Sequence, residues 1–239
     1  MHGRPAKCSL IITARTTDHL IRVICILLPT VLRSSKPMLI FRKAEFGCNV
    51  LSRKVLCDTS AGFIERETHR NTTWQQARFE CCHHKWFDMS ETGAGIAVIN
   101  DSKYGASFEN NVMSLSLLRA TIRPDVVSDI GVHRFCYMIV PHAGDAITAG
   151  INHLAFQYNV PLVKADVNWT LPTFEPLYLQ SAKQSEDGTM TVLRLSEQDG
   201  RRGAVKLKTK VKLLNMLEDV EGETDTISYE PFEIITVGI

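Results

Sequence analysis

The 239 residues lack a long apolar run, a surplus of charge of either sign, a CxxC pair and any extended amphipathic helical pattern. Each absence excludes something. The longest apolar stretch, Leu20 to Leu32, is about thirteen residues and carries Arg22 and Pro29, whereas a helix needs about twenty apolar residues to cross a bilayer. A basic start, Arg4 and Lys7, precedes it, but Arg15, Asp18, His19 and Arg22 interrupt the apolar block and no small-residue cleavage site follows, which argues against a secretory leader. Lys and Arg number 27 against 26 Asp and Glu, a formal charge of +1, so no global field draws the chain to nucleic acid or to an acidic membrane surface. Function must therefore reside in local sites.

Several sites can be set aside on the same grounds. There is no GxSxG elbow and no GxxxxGK loop, and Gly93-Ala94-Gly95 lacks the third glycine of a dinucleotide fingerprint. No internal repeat supports a solenoid or propeller. The seven cysteines, Cys8, Cys25, Cys48, Cys57, Cys81, Cys82 and Cys136, are odd in number and sit mostly in apolar runs, where a thiol packs as a small hydrophobe, so a reducing, cytoplasmic setting is expected.

What is present reads as strands. Alternation is clearest in Ala204 to Leu213, with Val205, Leu207, Val211 and Leu213 on one face and Lys206, Lys208, Lys210 and Lys212 on the other. Such a lysine row fits the wet face of a strand protected against edge pairing. Further strands are expected at Arg22–Leu28, Met38–Arg42, Arg78–His83, Gly95–Ile99, Val112–Leu118, His133–Val140, Thr189–Ser196 and Ile227–Ile235. Turns are expected at Glu91-Thr92-Gly93, 100–105, Glu186-Asp187-Gly188, Gln198-Asp199-Gly200 and Glu221-Gly222. Only Ala146 to Asn159 has helical spacing, and it reads either as a short packed helix or as a strand. Pro161, Pro172 and Pro176 mark a connection. Many short strands with polar turns define an all-β chain of sandwich type.

Among chemically capable residues, Cys81-Cys82-His83-His84 with Asp88 and Glu91 form the densest group. On a strand, however, Cys81 and His83 point one way and Cys82 and His84 the other, so four contiguous side chains cannot close on one ion, and packed thiols and hydrogen-bonded imidazoles are expected. Asp88, Asp101 and Asp125 have turn-like neighbours that favour structural roles. Asn71-Thr72-Thr73 and Asn168-Trp169-Thr170 match the glycan acceptor pattern and are read as chance in a chain without a leader. Trp74, Trp86, Phe87, Tyr104 and Trp169 would suit sugar stacking or core packing.

The segments Thr68-His69-Arg70-Asn71-Thr72-Thr73-Trp74, Ala77-Arg78-Phe79-Glu80, His84 to Glu91, Gly95 to Gly105, Asn111 to Ala120, Asp129 to Phe135 and Pro141-His142 closely resemble the carboxyl-terminal half of family 38 α-mannosidases, nearest the cytosolic or vacuolar branch. Val192 to Glu197, the lysine strand and Glu230 to Thr236 extend the likeness, which covers roughly residues 60–239. The resemblance implies a galactose-mutarotase-like β supersandwich over residues 20–165, a smaller terminal β-sandwich domain over 166–239, and an unassigned segment 1–19. Members of the family hydrolyse α-mannosides with retention, using a carboxylate nucleophile, an acid/base carboxyl and a zinc ion, all on a catalytic barrel that would precede this sequence. No catalytic residue, metal ligand or cofactor is therefore expected on this chain, and in isolation it should be silent toward α-mannosides.

The partners implied are an α-mannoside or oligomannose reached through such a barrel and a second copy in a homo-oligomer, with the vacuole or lysosome as the other location to the cytoplasm. Arg119 is the one substrate-binding candidate the likeness transfers, against the plainer role of a surface or ion-paired arginine. His69, Arg70, Trp74, Trp86, Asp88, Glu91, Lys103 and Tyr104 carry the signature and are expected to hold turns and a domain interface. The other readings are a free carbohydrate-binding or scaffolding module and a nonfunctional fragment.

Overall fold

The computed structural model describes residues 30–34, 42–119, 123–125, 127, 129–160 and 172–239. They group into two compact units, Met1–Asp58 with Ile64–Pro161, and Thr59–Phe63 with Leu162–Ile239. The expected strand Arg22–Leu28, most of Met38–Arg42, and Trp169 lie outside the described residues.

In chain order the first eleven strands and two helices are β1 (Thr30–Ser34), β2 (Arg42–Gly47), β3 (Lys54–Thr59), β4 (Gly62–Glu67), α1 (Thr73–Ala77), β5 (Cys81–Cys82), β6 (Trp86–Glu91), β7 (Ala94–Asn100), β8 (Gly105–Glu109), β9 (Val112–Leu118), β10 (Gly131–Phe135), β11 (Tyr137–Ala143) and α2 (Ile151–Asn159). They form a four-stranded sheet, β2-β9-β8-β5, a five-stranded sheet, β11-β7-β6-β3-β4, and a two-stranded β1-β10 ribbon. One apolar layer joins the two larger sheets: Cys57, Phe87, Met89 and Val98 from one meet Ala106, Phe108, Met113 and Leu115 from the other. That is the inner layer of a sandwich. The five-stranded sheet is also covered behind, where α2 packs on β6 and β7 and Trp86 Nε1 donates to Asn152 Oδ1 at 3.2 Å. Covered on both sides, β7 buries Ala97, Val98, Ile99 and Asn100 in succession, and so lacks the alternation of a half-buried strand.

The second unit is a five-stranded sheet of β12 (Tyr178–Gln184), β13 (Thr191–Ser196), β14 (Gly203–Leu214), β15 (Val220–Tyr229) and β16 (Ile234–Gly238), in the order β12-β13-β16-β14-β15. Its core holds Leu193, Leu195, Val205, Leu207, Val211, Ile227 and Val237. Along β14 the lysines are exposed while Val205, Leu207 and Val211 are buried, as the period-two pattern requires. β14 is nevertheless not an edge strand. It lies between β16 and β15, so its lysines solvate an outer face, and Lys206 pairs with Asp225 at 2.7 Å.

Several expected elements change at their boundaries for local reasons. Ile227–Ile235 is two strands, because Pro231 and Phe232, the latter at φ 62°, form a turn closed by Glu233 N–H donating to Glu230 O at 3.2 Å. Glu221-Gly222 lies inside β15, and the turn falls earlier, where Asn215 Oδ1 accepts from Leu217 N at 2.8 Å and Asp219 N at 3.0 Å. His133–Val140 breaks at Cys136, since β10 pairs with β1 while β11 pairs with β7 in another sheet. Of Arg78–His83 only Cys81–Cys82 is a strand; the chain before it is α1, started by a capping box between Thr72 and Gln75. Thr72 of the apparent glycan motif is thus a helix cap. Within Ala146–Asn159 the helix occupies only Ile151–Asn159, behind turns in which Thr148 N–H donates to Asp145 Oδ1 at 2.7 Å.

A buried polar lock stitches three strands of the five-stranded sheet. His142 Nε2 on β11 lies 2.6 Å from Asp88 Oδ2 on β6, with both side chains 1% exposed, and the Ser90 hydroxyl donates to the other Asp88 oxygen. Between them runs β7, where Gly95 pairs with both Ser90 and His142. A Cβ at Gly95 would sit 2.3 Å from His142 Cε1 and 2.4 Å from Ser90 Oγ, so the missing side chain is what lets the imidazole cross the strand. Burial alone would push the His142 pKa down, but the hydrogen bond and charge of Asp88 outweigh it and hold it above the ordinary 6.5.

Stability drawn from this raised pKa is fully present below pH 6.5 and is lost as pH rises through the higher folded value. Urea unfolding should therefore show wild-type stability declining above that point and the slope flattening in Asp88→Asn; equal slopes in both proteins would discount the pair. Gly95→Ala should cost about 1–3 kcal/mol by overpacking, and a midpoint unchanged from wild type would show that the strand can yield.

Candidate functional site

The first unit carries an open cleft of about 830 Å³ at the end of the four-stranded sheet, and Arg119 lies on its rim. Arg119 directly follows β9 and is exposed. Leu117 and Leu118 just before it are buried, so the last turn of the strand is anchored while the guanidinium side reaches the cleft. Below it, Ser116 donates its hydroxyl to Glu80.

The opposite wall is the 100–105 turn. Asn100 is buried and builds this turn: its amide nitrogen donates to His84 O at 3.1 Å, while its oxygen accepts from Ser102 N at 3.1 Å and Lys103 N at 2.6 Å. The turn presents Tyr104, 60% exposed, with its ring edge-to-face against His84 at 6.0 Å. Lys103 is drawn the other way, its ammonium 4.6 Å from the centre of the Phe135 ring. Phe79, Asp129 and His133 complete the lining, with His133 Nε2 2.9 Å from Asp129 O. An exposed phenol ring, a guanidinium, a carboxylate and hydroxyls around a wide, wet cleft suit a polyhydroxylated ligand: rings stack on the sugar face and polar groups bond its hydroxyls.

The remaining residues singled out by sequence are dispersed. Trp86 and Phe87 are core, and Trp74, 76% exposed, stands on α1, none of whose residues is buried. Asp101 accepts from Cys136 N at 3.2 Å and Asp125 from Val127 N at 2.9 Å, each fixing its own turn. Glu91 accepts from Leu51 N at 2.8 Å and His69 meets Gln75 at 3.1 Å. Ser90, Asp88 and His142 have the composition of a nucleophilic triad, yet the carboxylate stands in the middle and the imidazole never reaches the hydroxyl. Among the described residues no imidazole is placed to take the Ser90 proton.

The Cys81–His84 segment does not fit a zinc ion. Cys81 hydrogen-bonds Cys57, Cys82 is exposed, and His83 is fully buried edge-on to Phe87 at 4.8 Å, its pKa lowered by burial and by His84 to about 4. Among the described residues no group of three or more His, Cys, Asp or Glu side chains converges as a metal centre would need.

Comparison with known proteins matches this architecture. The family described as "Glycosyl hydrolases family 38 C-terminal domain" matches residues 10–127, and "Glycosyl hydrolases family 38 C-terminal beta sandwich domain" matches residues 176–237. The chain belongs to glycosyl hydrolase family 38, of which it carries the C-terminal β region. Among individual relatives, human Alpha-mannosidase 2C1 is 38% identical over 172 residues, 67% of this chain and 16% of that protein. The Saccharomyces cerevisiae alpha-mannosidase is 43% identical over 119 residues, half of this chain and 11% of that protein. The crystal structure of an alpha-mannosidase from Enterococcus faecalis V583 superposes with a TM-score of 0.67 at 14% identity, covering 82% of this chain and 25% of that one. The chain thus spans only a small fraction of the length of the relatives it matches. Among the described residues no helix is long and apolar enough to cross a membrane.

Asn100→Ala should remove three of the bonds that shape the Tyr104 wall and cost about 2–3 kcal/mol in unfolding free energy, with Tyr104 gaining mobility by NMR relaxation. Wild-type stability and relaxation in that variant would mean that the turn holds itself.

Proposed function

We propose that this chain is the substrate-facing β portion of an α-mannosidase-like glycoside hydrolase, and that the cleft between Arg119 and Tyr104 touches the sugar. The observation that carries the reading is the placement of Arg119: the one residue that the family likeness offers as a substrate contact sits on the rim of a wide open cleft with an exposed aromatic wall. The relatives that share this region are named alpha-mannosidases, which supports a terminal α-mannoside or oligomannose as the ligand.

In this reading the nucleophile, the acid/base carboxyl and any zinc belong to a catalytic portion outside these 239 residues. What this chain supplies is binding and orientation. A guanidinium offers up to five donors in a fixed plane, well matched to vicinal hydroxyls. Tyr104 would stack on the sugar ring and exclude water from one face. Free thiols at Cys48, Cys57, Cys81, Cys82 and Cys136 support a reducing setting such as the cytoplasm.

Two measurements test the division of labour. The purified chain mixed with an aryl α-mannoside and zinc should release no product; turnover blocked by a mannosidase inhibitor would overturn the proposal. In a protein joining this chain to a family catalytic barrel, Arg119→Ala should lower kcat/KM by about 10–100-fold, the worth of one charged hydrogen bond, with the unfolding midpoint kept. Unchanged kinetics would return Arg119 to a surface role.

A further inference from the structure

Two cysteines in the first unit stand apart from the rest. Cys57 lies on β3 of the five-stranded sheet and Cys81 on β5 of the four-stranded sheet, so they face each other across the sandwich. Cys81 packs against the apolar cluster that holds Cys57, and the two thiols shift each other's titration in opposite directions. Cys57 is fully buried in the apolar core; Cys81 is half-buried against that core and also lines a cavity of about 620 Å³ that opens to solvent.

Beside Cys81 in this cavity is Arg66. Its Nε is buried without a hydrogen-bond partner, and its charge lowers the Cys81 pKa. A buried guanidinium donor left without an acceptor is costly, and a thiolate supplies the missing charge and lone pairs. The hydrogen bond from Cys57 and the Arg66 charge act together to lower the Cys81 pKa, against burial and the nearby Glu80 carboxylate, which raise it. Cys57 is driven the opposite way, because it is the donor of the shared hydrogen bond and is fully buried. The pair is therefore asymmetric: one thiol is half-buried at a cavity open to solvent, the other sealed in the core.

We propose that Cys57 and Cys81 form a peroxide-sensitive dithiol, in which Cys81 is oxidised first and Cys57 resolves it to a disulfide joining β3 to β5. The chemistry balances with hydrogen peroxide as the oxidant. The Cys81 thiolate attacks one peroxide oxygen, an S–O bond forms, the O–O bond breaks, and hydroxide leaves and takes a proton as water. The Cys57 sulfur then attacks the Cys81 sulfenic sulfur, the S–S bond forms, the S–O bond breaks, and the departing hydroxide takes the Cys57 proton as a second water. Two electrons pass from the two thiols to one peroxide. Because Cys81 also borders the Arg119 cleft, the disulfide would fix a wall of that cleft.

The test uses the whole chain, reduced and then exposed to hydrogen peroxide, alkylated and digested for mass spectrometry. A cross-linked peptide joining Cys57 to Cys81 is expected, absent from Cys81→Ser. In Cys57→Ala, dimedone should label Cys81, whose sulfenic acid then has no resolving partner. Labelling confined to Cys82, or no Cys57–Cys81 cross-link in the wild type, overturns the proposal. Should Cys57→Ala fail to fold, alkylation of the reduced wild type at neutral pH decides: Cys81 should react about tenfold faster than the more exposed Cys82, as a thiolate does. Faster reaction at Cys82 overturns it.

Discussion

The apolar layer between the four-stranded and five-stranded sheets is the constraint on which the first unit depends. Each buried Phe or Met in it contributes about 1.5–3 kcal/mol, and no neighbouring pair of strands could bury such a surface alone. Its members come from distant parts of the chain: Phe46 of β2 meets Tyr137 of β11 with ring centres 5.6 Å apart, and Phe87 of β6 meets Phe108 of β8 at 5.3 Å. Until those segments meet, neither the cleft nor the thiol pair exists. Arg119 is held by the buried end of β9, the Tyr104 turn by strands β7 and β8, and Cys57 and Cys81 by opposite sheets.

Polar groups placed within and around this layer add specificity. The Asp88–His142 contact across Gly95 fixes the alignment of β6, β7 and β11, because a shift of one residue would put a side chain where the imidazole passes. Asp58, fully buried, does a similar task for the chain entering β6, accepting from Lys85 N at 2.8 Å and pairing with Lys85 Nζ at 2.9 Å. Burial raises the Asp58 pKa and Lys85 opposes the rise, so this carboxylate depends on its lysine to stay charged inside the fold.

Much of the fold was legible in the sequence where local pattern and tertiary environment agree. β9 was bounded to the residue by its apolar run, and β14, Gly203–Leu214, to within one residue at each end by its lysine alternation. Strands read poorly where one run of apolar residues serves two sheets, as at Cys136, or where polar residues pair in strands, as in β4 and β12, whose outward faces carry no apolar signal. Glu221-Gly222 misled because glycine marks turns on average, while here the Asn215 side chain had already closed the turn. The cleft was legible only in part. Arg119 came from family likeness, and no spacing rule links it to Tyr104 and Phe79, since the fold alone brings these separate segments together. The lock at Gly95 and the Cys57–Cys81 contact were invisible for the same reason: each joins residues on strands whose pairing cannot be read from local pattern.

In the proposed reading the β region binds and orients the sugar, and bond cleavage belongs to groups elsewhere. Its central claim is that a mannoside lies in the cleft against Tyr104 and Arg119. Crystals of the protein joined to a family catalytic barrel, soaked with a non-hydrolysable α-mannoside, test this most directly. The account predicts sugar density with a hydroxyl within hydrogen-bond distance of the Arg119 guanidinium and a ring face on Tyr104; a sugar bound with Arg119 and Tyr104 left in solvent would contradict it.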